Sequence, residues 1–260
     1  MVTSTYTVGS LGETPVERSN YLGNYFTQDV YNFSTSGTNS INLSLHNITV
    51  GDDADLKLYQ DVNSDGSLDS SDTLILSSSR GSNLDDAINY VGSAGSYLAV
   101  VDKYLVSDND GLNYELDLSA TPQFPYYTSA PNLLPKEIEL GTISTSNQTG
   151  SLGDNNTVDT YFFSVSSIDS LELNASLTGL TGDADIRLIQ DNNGNQIVDS
   201  DEILAYSRLG SSSSESLNYG VNSGDYFVQV YQYSGSTDYN LSITTSSTLL
   251  LNQLSQNLIA

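Results

Sequence analysis

GDDADLKLYQDVNSDGSLDSSD, Gly51 to Asp72, returns as TGDADIRLIQDNNGNQIVDSDE, Thr181 to Glu202. Asp61 answers Asp191 and Asp53 answers Asp183, so the two copies stand 130 positions apart. Each copy opens on a short alternating run, Ala54 to Tyr59 and Ala184 to Ile189, which reads as a half-buried strand leading straight into a carboxylate-rich turn. The chain is therefore one strand-rich unit written twice. Asp29, Tyr31 and Phe33 alternate upstream of the first copy, and Asp159, Tyr161 and Phe163 repeat them upstream of the second.

The turn resembles the calcium loop of an EF-hand. In the first copy Asp61, Asn63, Asp65, Gly66, Ser67, Asp69 and Asp72 fall at loop positions 1, 3, 5, 6, 7, 9 and 12, with apolar Leu68 at position 8. In the second copy Asp191, Asn193, Asn195, Ile197 (through its carbonyl), Asp199 and Glu202 take the ligand positions, with Val198 at position 8. A hard cation such as Ca2+ takes six to eight oxygens, and alternate residues of a tightly wound loop point at one centre. About two Ca2+ ions, one per copy, are the cofactors this pattern suits. Without a cation, Asp61, Asp65, Asp69 and Asp72 would repel by roughly 1 kcal/mol per close pair in water, so the loop is expected to splay. The alternative is a solvated Asx-rich turn that holds no ion. Gln196 stands where the EF-hand has Gly, so the second loop is expected to be weaker or wound differently around Gly194. Asp72, shorter than Glu, should grip a cation less fully. Neither loop is flanked by helical sequence.

Working outward, 260 residues suffice for two domains of ordinary size. The 32 acidic and 7 basic residues leave a net charge of -25, which argues against nucleic acid and anionic membrane surfaces as partners and suits a protein that meets cations. Without Cys there is neither a disulfide framework nor a thiolate metal site. No apolar run approaches the length of a membrane span, and the N-terminus lacks the basic-then-apolar design of a secretory signal. Ser, Thr, Asn, Asp, Gly and Tyr outweigh the helix formers, which points to strands joined by polar turns.

About eight short strands are expected per copy, among them Tyr6 to Leu11, Ile41 to Leu45, Ala87 to Val91, Tyr97 to Val101 and Leu112 to Leu118. This gives an all-β chain of two tandem jelly-roll-like β-sandwich domains, residues 1–120 and 136–246, with loops at 61–72 and 191–202. Between them Thr121 to Pro135 holds four of the five prolines and reads as a stiff linker excluded from any central strand. In the tail, 247–260, Leu250, Leu251, Leu254 and Leu258 fall at helical spacing and suggest a short helix.

Three patterns recur in order: Asp-x-Tyr-x-Phe, then Asp-Ala-Asp-Leu/Ile (Asp53 to Leu56; Asp183 to Ile186), then Gly-x-Tyr-x-x-x-Val (Gly95, Tyr97, Val101; Gly224, Tyr226, Val230). Together they resemble the bacterial pre-peptidase C-terminal domain, here in tandem, over roughly residues 19–119 and 147–245. The acidic loop is similar to that of cyanobacterial secreted versions. The resemblance implies a jelly-roll-like sandwich appended to secreted peptidases and other extracellular proteins, where it assists export, folding or attachment to substrate. Related sandwiches in bacterial collagenases bind calcium and collagen. The implied partners are a secreted peptidase or other parent protein, or an extracellular polymer such as a glycan or matrix protein. A calcium-dependent adhesin or lectin-like binder is the alternative reading.

Catalytic chemistry finds little support. His46 is the only histidine, which rules out a two-histidine zinc site, and no nucleophile elbow accompanies it. It reads as a solvent-facing or turn residue. Lys57 and Arg187, with Arg80 and Arg208, recur beside the acidic turns and are expected to pair with carboxylates of their own sheets. The 18 tyrosines suit cross-strand packing or an exposed stacking row, and sequence does not choose between them.

Overall fold

The computed structural model describes residues 3–23, 25–107, 111–124 and 127–247. The chain divides into two compact units, residues 1–137 with 154–157, and residues 138–153 with 158–260. The amphipathic spacing noted in the tail lies outside the described residues.

In the first unit nine strands fill two sheets. They are β1 (Thr3–Ser10), β2 (Val16–Leu22), β3 (Gln28–Thr35), β4 (Asn39–His46), β5 (Asp53–Gln60), β6 (Thr73–Ser78), β7 (Asp86–Gly92), β8 (Gly95–Leu105) and β9 (Leu112–Phe124). One sheet runs β1-β3-β8-β5-β6, and the other places β9 between β2 and β4, followed by β7. A short β10 (Tyr127–Thr128) pairs with the end of β9. All pairings are antiparallel except that of β1 with β3. This is the strand order of a jelly roll, with an added edge strand.

The second unit repeats it with β11 (Ile138–Thr142), β12 (Thr145–Leu152), β13 (Val158–Val165), β14 (Leu171–Thr178), β15 (Asp183–Ile189), β16 (Ile203–Ser207), β17 (Glu215–Val221), β18 (Gly224–Ser234) and β19 (Thr237–Ser247). Its sheets run β11-β13-β18-β15-β16 and β12-β19-β14-β17. The all-β, sandwich-type fold is as the alternating runs indicate, with ten strands among the described residues of the first copy and nine in the second where about eight were expected.

The recurring patterns build the core. Tyr31 and Phe33 of β3 point between the sheets, Phe33 stacks on Tyr97 with ring centroids 5.6 Å apart, and Phe163 repeats this with Tyr226 at 6.1 Å. Asp29, 1% exposed, accepts a 2.5 Å hydrogen bond from the Tyr114 hydroxyl, which is 2.7 Å from that of Tyr31. Asn20 completes the set by donating Nδ2 to Asp29 and to Tyr31. Since β3 and β9 belong to different sheets, this network ties the two layers together. Tyr239 donates to Asp159 in the same way, with Tyr161 2.6 Å from Tyr239. Gly150 occupies the place of Asn20, and a Cβ there would fall 2.3 Å from the Tyr239 hydroxyl.

Two expectations need correction. Thr121 to Phe124, read as linker, instead completes β9, with Pro122 opposite Asn39 of β4. Gln123 donates its N–H to Thr38, so the alternate residue, Pro122, turns its missing N–H away from β4 and leaves that ladder intact, while its carbonyl accepts the Ser129 N–H on the β10 side. Farther along, Leu133 and Leu134 are buried and the Lys136 N–H is bonded to Asp85, so apolar residues inside the Pro-rich stretch fasten it down. His46 is likewise no surface residue. It is 2% exposed, its Nε2 is 2.9 Å from Asp117 Oδ2, and its Nδ1 lies 3.9 Å from Glu115. Burial pulls the imidazole pKa down, but the Asp117 hydrogen bond and the charges of Asp117, Asp85 and Glu115 carry it above its usual 6.5.

Two predictions follow the core. Tyr114→Phe strips a buried carboxylate of its shortest bond and should cost about 1–3 kcal/mol in urea unfolding, while Tyr6→Phe, at a half-exposed edge, should cost little. The stability due to His46 is full below pH 6.5 and lost as pH rises through the higher folded value, because the native state holds the extra proton. His46→Gln should therefore flatten the fall in the urea midpoint across that window; an unchanged slope assigns the fall to other groups.

Candidate metal centre

Both acidic loops connect the second and third strands of a three-strand run at one end of the five-stranded sheet: β5 to β6, and β15 to β16. Each strand leaves the sheet through a register shift, between Leu58 and Tyr59 and between Leu188 and Ile189. Beyond it the two loops wind alike. Ser64 and Gly66 have positive φ of 56° and 74°, and Gly194 and Gln196 have 74° and 56°. Loop positions 4 and 6 are thus left-handed in both copies, with glycine at one of the two and a residue that resists this conformation at the other. The expected difference in winding around Gln196 is absent.

The side chains at the ligand positions organise the turn by accepting its N–H groups. At position 1, Asp61 Oδ2 accepts from Gly66 (2.9 Å) and Asp191 Oδ2 from Gln196 (3.0 Å). At position 3, Asn63 accepts from Asp65 (3.2 Å) and Asn193 from Asn195 (3.0 Å). Position 5 continues the series, with Asp65 accepting from Ser67 (2.8 Å) and Asn195 from Ile197 (3.0 Å). At position 12, Asp72 takes the N–H groups of Val62 and Asp69, and Glu202 those of Asn192 and Asp199. The shorter Asp72 therefore spans the same two donors as Glu202. Asn63 Nδ2 donates to Asp65 (3.0 Å) and Asp69 (3.3 Å), and Asn193 Nδ2 to Asp199 (2.9 Å), placing partial positive charge among the carboxylates. The loops are wound shut by these donors rather than splayed. Ser67 and Ile197 join the bonding through their backbone N–H groups.

Among the described residues no three acidic or histidine side chains are grouped as a metal site. The loop carboxylates lean on N–H donors instead. One atom is left over: Asp61 is 4% exposed, and its Oδ1 is buried without any hydrogen-bond partner. An unanswered carboxylate oxygen at position 1, among side-chain oxygens at positions 3, 5, 9 and 12, fits a hard oxygen-seeking cation. A cavity of about 320 Å³ opens beside it, lined by Asn32, Asp61, Ser64, Asp65 and Gly66 among others.

Leu68, at position 8, turns inward on the sheet. With Tyr59 it covers Val30, Leu98 and Val100, a small apolar cluster on the outer face. In the second copy that face is mixed: Phe162 and Phe227 pack with ring centroids 5.0 Å apart, and beside them Arg187 donates Nε (3.0 Å) and Nη2 (2.6 Å) to Gln229, which donates to Thr160. The basic residues only partly follow expectation. Lys57 is paired with Asp102, whereas Arg187 bonds the Gln229 amide and Arg80 donates to the carbonyls of Asp85 and Lys136. Sequence reasoning missed the roles of Asp29 and Asp159 as buried acceptors, although their place two residues before an inward tyrosine was visible.

Residues 157–232 match the family model of the bacterial pre-peptidase C-terminal domain. No curated protein matches the chain. Among solved structures, the pre-peptidase C-terminal domain of a Bacillus anthracis collagenase is 20% identical, covering 46% of this chain and 94% of its own, with a TM-score of 0.32. PliG of Aeromonas hydrophila, a periplasmic inhibitor of g-type lysozyme, is 13% identical, with 42% and 98% covered and a TM-score of 0.30. The CUB1-EGF-CUB2 domains of rat MASP-1 are 10% identical, with 92% and 100% covered and a TM-score of 0.27. No helix among the described residues is long and apolar enough to cross a membrane. The matched span runs from the start of β13 into β18 and encloses the second acidic loop, so it is the second sandwich that is similar to a bacterial pre-peptidase C-terminal domain, and the first repeats its strand order.

Proposed function

We propose that the chain is a non-catalytic accessory module of a secreted bacterial protein and that each repeat binds one Ca2+ in its acidic loop, to help folding, export or attachment to substrate or matrix. The observation that carries this reading is the buried, unpartnered Asp61 Oδ1 inside a loop whose winding recurs in the second copy. Asp61, Asn63, Asp65, Ser67, Asp69 and Asp72 would hold the first ion. Asp191, Asn193, Asn195, Ile197, Asp199 and Glu202 would hold the second. The ion supplies the positive charge that each loop lacks. Fixing the first loop also fixes Leu68 over Val30, Leu98 and Val100, so ion binding and apolar burial reinforce each other. Calcium is scarce inside cells and abundant outside, so the loops would tighten after export.

Calorimetric melting of the full chain tests this. Ca2+ at a hundredfold excess over its Kd should add about 2.7 kcal/mol per site, and a chelator should remove it. Asp61→Asn and Glu202→Gln should each abolish the contribution of one loop and leave the other. A melting curve indifferent to Ca2+ and chelator refutes the reading, and equal stabilisation by Mg2+ makes the loops general divalent sites.

A second reading, a calcium-dependent binder of glycan or matrix protein, draws on exposed aromatics. Tyr25 and Tyr104 are 85% and 73% exposed, and Tyr21 and Phe26 are also exposed. Lys103 brings the end of β8 beside them, donating its N–H to Thr27 and Nζ to Gly23. Tyr25→Ala with Tyr104→Ala should abolish retention on a glycan array or collagen resin without moving the melting temperature. Retention that survives both changes places the contact elsewhere.

A further inference from the structure

The sheet edges formed by β7 and β17 are equivalent, and only one of them is covered. Asn89 stands opposite Asn42 of β4 as Asn218 stands opposite Asn174 of β14, so the same main-chain groups face away from the sheet in both units. In the first unit those groups are used. The Val91 N–H donates to the Asp154 carbonyl (2.7 Å) and the Asn89 carbonyl accepts the Thr157 N–H (3.2 Å), both from the segment Asp154–Thr157 that belongs to this unit. The Thr157 hydroxyl lies 2.7 Å from that of Ser40, and Asn89 and Thr157 are 6% and 2% exposed.

Along β17 the edge is open. The Ser216 N–H reaches the Ser207 hydroxyl at 3.3 Å, which marks the outward phase, but the outward main-chain groups of Asn218 and Gly220 have no partner among the described residues. Asn218, Tyr219 and Gly220 are exposed, and a Cβ on Gly220 would meet nothing within 4 Å. The offset of 130 that relates Leu22 to Leu152 and Asp29 to Asp159 makes residues 25–27 the counterpart of residues 155–157. Whereas Thr157 is buried, residues 25–27 are exposed, Tyr25 at 85%. Bulk is exchanged between the two sets: Gly220 stands at the place of Val91, and Tyr25 at the place of Asn155.

We propose that the open edge of β17 is an interaction surface for a second copy of this chain, whose turn at residues 25–27 pairs with it as residues 154–157 pair with β7. A second copy is the occupant because the segment that fills the equivalent edge has its counterpart, exposed, in this same sequence. Main-chain bonds at Asn218 and Gly220 fix the register, and the Tyr25 ring fills the strip that Gly220 leaves bare. The two surfaces differ, so the contact is heterologous: each copy offers both, and association continues past the dimer into a chain or a ring. Charge opposes it. Two copies of net charge -25 repel, so the contact is weak at low salt and strengthens as salt screens them.

The chain has no cysteine, so disulfide trapping of the full chain tests the contact directly. Phe26→Cys and Asn218→Cys both fall at exposed side chains and leave Tyr25, Gly220 and every main-chain group in place. Mixed under oxidising conditions at about 0.5 M NaCl, the two proteins should join roughly tenfold faster than Phe26→Cys mixed with Val50→Cys, whose site on the turn before β5 is 83% exposed. In sedimentation of the parent chain the average mass should rise with concentration. Gly220→Pro, which removes one outward N–H and leaves the ladder with β14 intact, should weaken that association about tenfold. Equal rates for the two mixtures, Asn218→Cys joining to itself as fast as to Phe26→Cys, a Gly220→Pro chain that associates like the parent, or a parent chain still monomeric at about 1 mM would each overturn the assignment.

Discussion

Carboxylates without matching cations are the constraint that shapes both sandwiches. Among the described residues twelve Asp and Glu side chains are buried, against one arginine and one histidine. A buried carboxylate is tolerated only when something donates to it. Three kinds of donor serve most of those named here: tyrosine hydroxyls for Asp29 and Asp159, turn N–H groups for Asp61 and Glu202, and a serine with a strand-end N–H for Asp86 and Glu215, while His46 answers Asp117. Where these run out, single oxygens of Asp53, Asp61 and Asp86 remain unanswered. Those are the points at which a proton or an external cation has most to gain.

Neutral donors account for the legibility of the fold. An inward tyrosine two residues after a buried aspartate serves packing and hydrogen bonding at once, so the Asp-x-Tyr-x-Phe pattern surfaces in sequence as plain strand alternation. The duplicated strand order could be read the same way. What sequence concealed were features set by long-range contact. His46 looked like a strand-end surface residue because its partner Asp117 lies on β9, far along the chain. Pro122 looked like a strand breaker because the pairing that spares its missing N–H is with β4, far back along the chain, where Asn39 stands opposite it. In the loops the residues that accept the turn's N–H groups were legible by spacing, while the shared left-handed winding at positions 4 and 6 was not, since glycine marks a different position in each copy.

The two copies have diverged most on the outer face of the five-stranded sheet. Val30 and Val100 of the first unit form a facing pair, replaced in the second by Thr160 and Gln229, with Arg187 buried against the glutamine. The first face is closed by a side chain from the loop, Leu68, whereas the second combines the Phe162–Phe227 pair with side-chain hydrogen bonds of its own. Desolvation holds the Arg187 guanidinium down to about 10, a sign of how completely that face is sealed. Gln196 takes the left-handed position while buried at 8% exposure, its N–H bonded to Asp191 as that of Gly66 is to Asp61.

The loops matter beyond their own residues because of what they deliver. β6 and β16 are edge strands, and each is reached only through its acidic loop. The register shift at the exit of β5 and of β15 leaves the return strand without a ladder of fixed phase, so the winding of the turn must set where that strand begins to pair. Position 12 is the pivot: Asp72 and Glu202 stand immediately before β6 and β16 and bond back to the N–H groups of Val62 and Asn192. Anything that strengthens that closure holds the edge strand in register and keeps the next strand's backbone from becoming a free template for pairing with another chain. Charge at the turn and order at the sheet edge are therefore one problem, and the N–H groups gathered by Asp72 and Glu202 act on both at once.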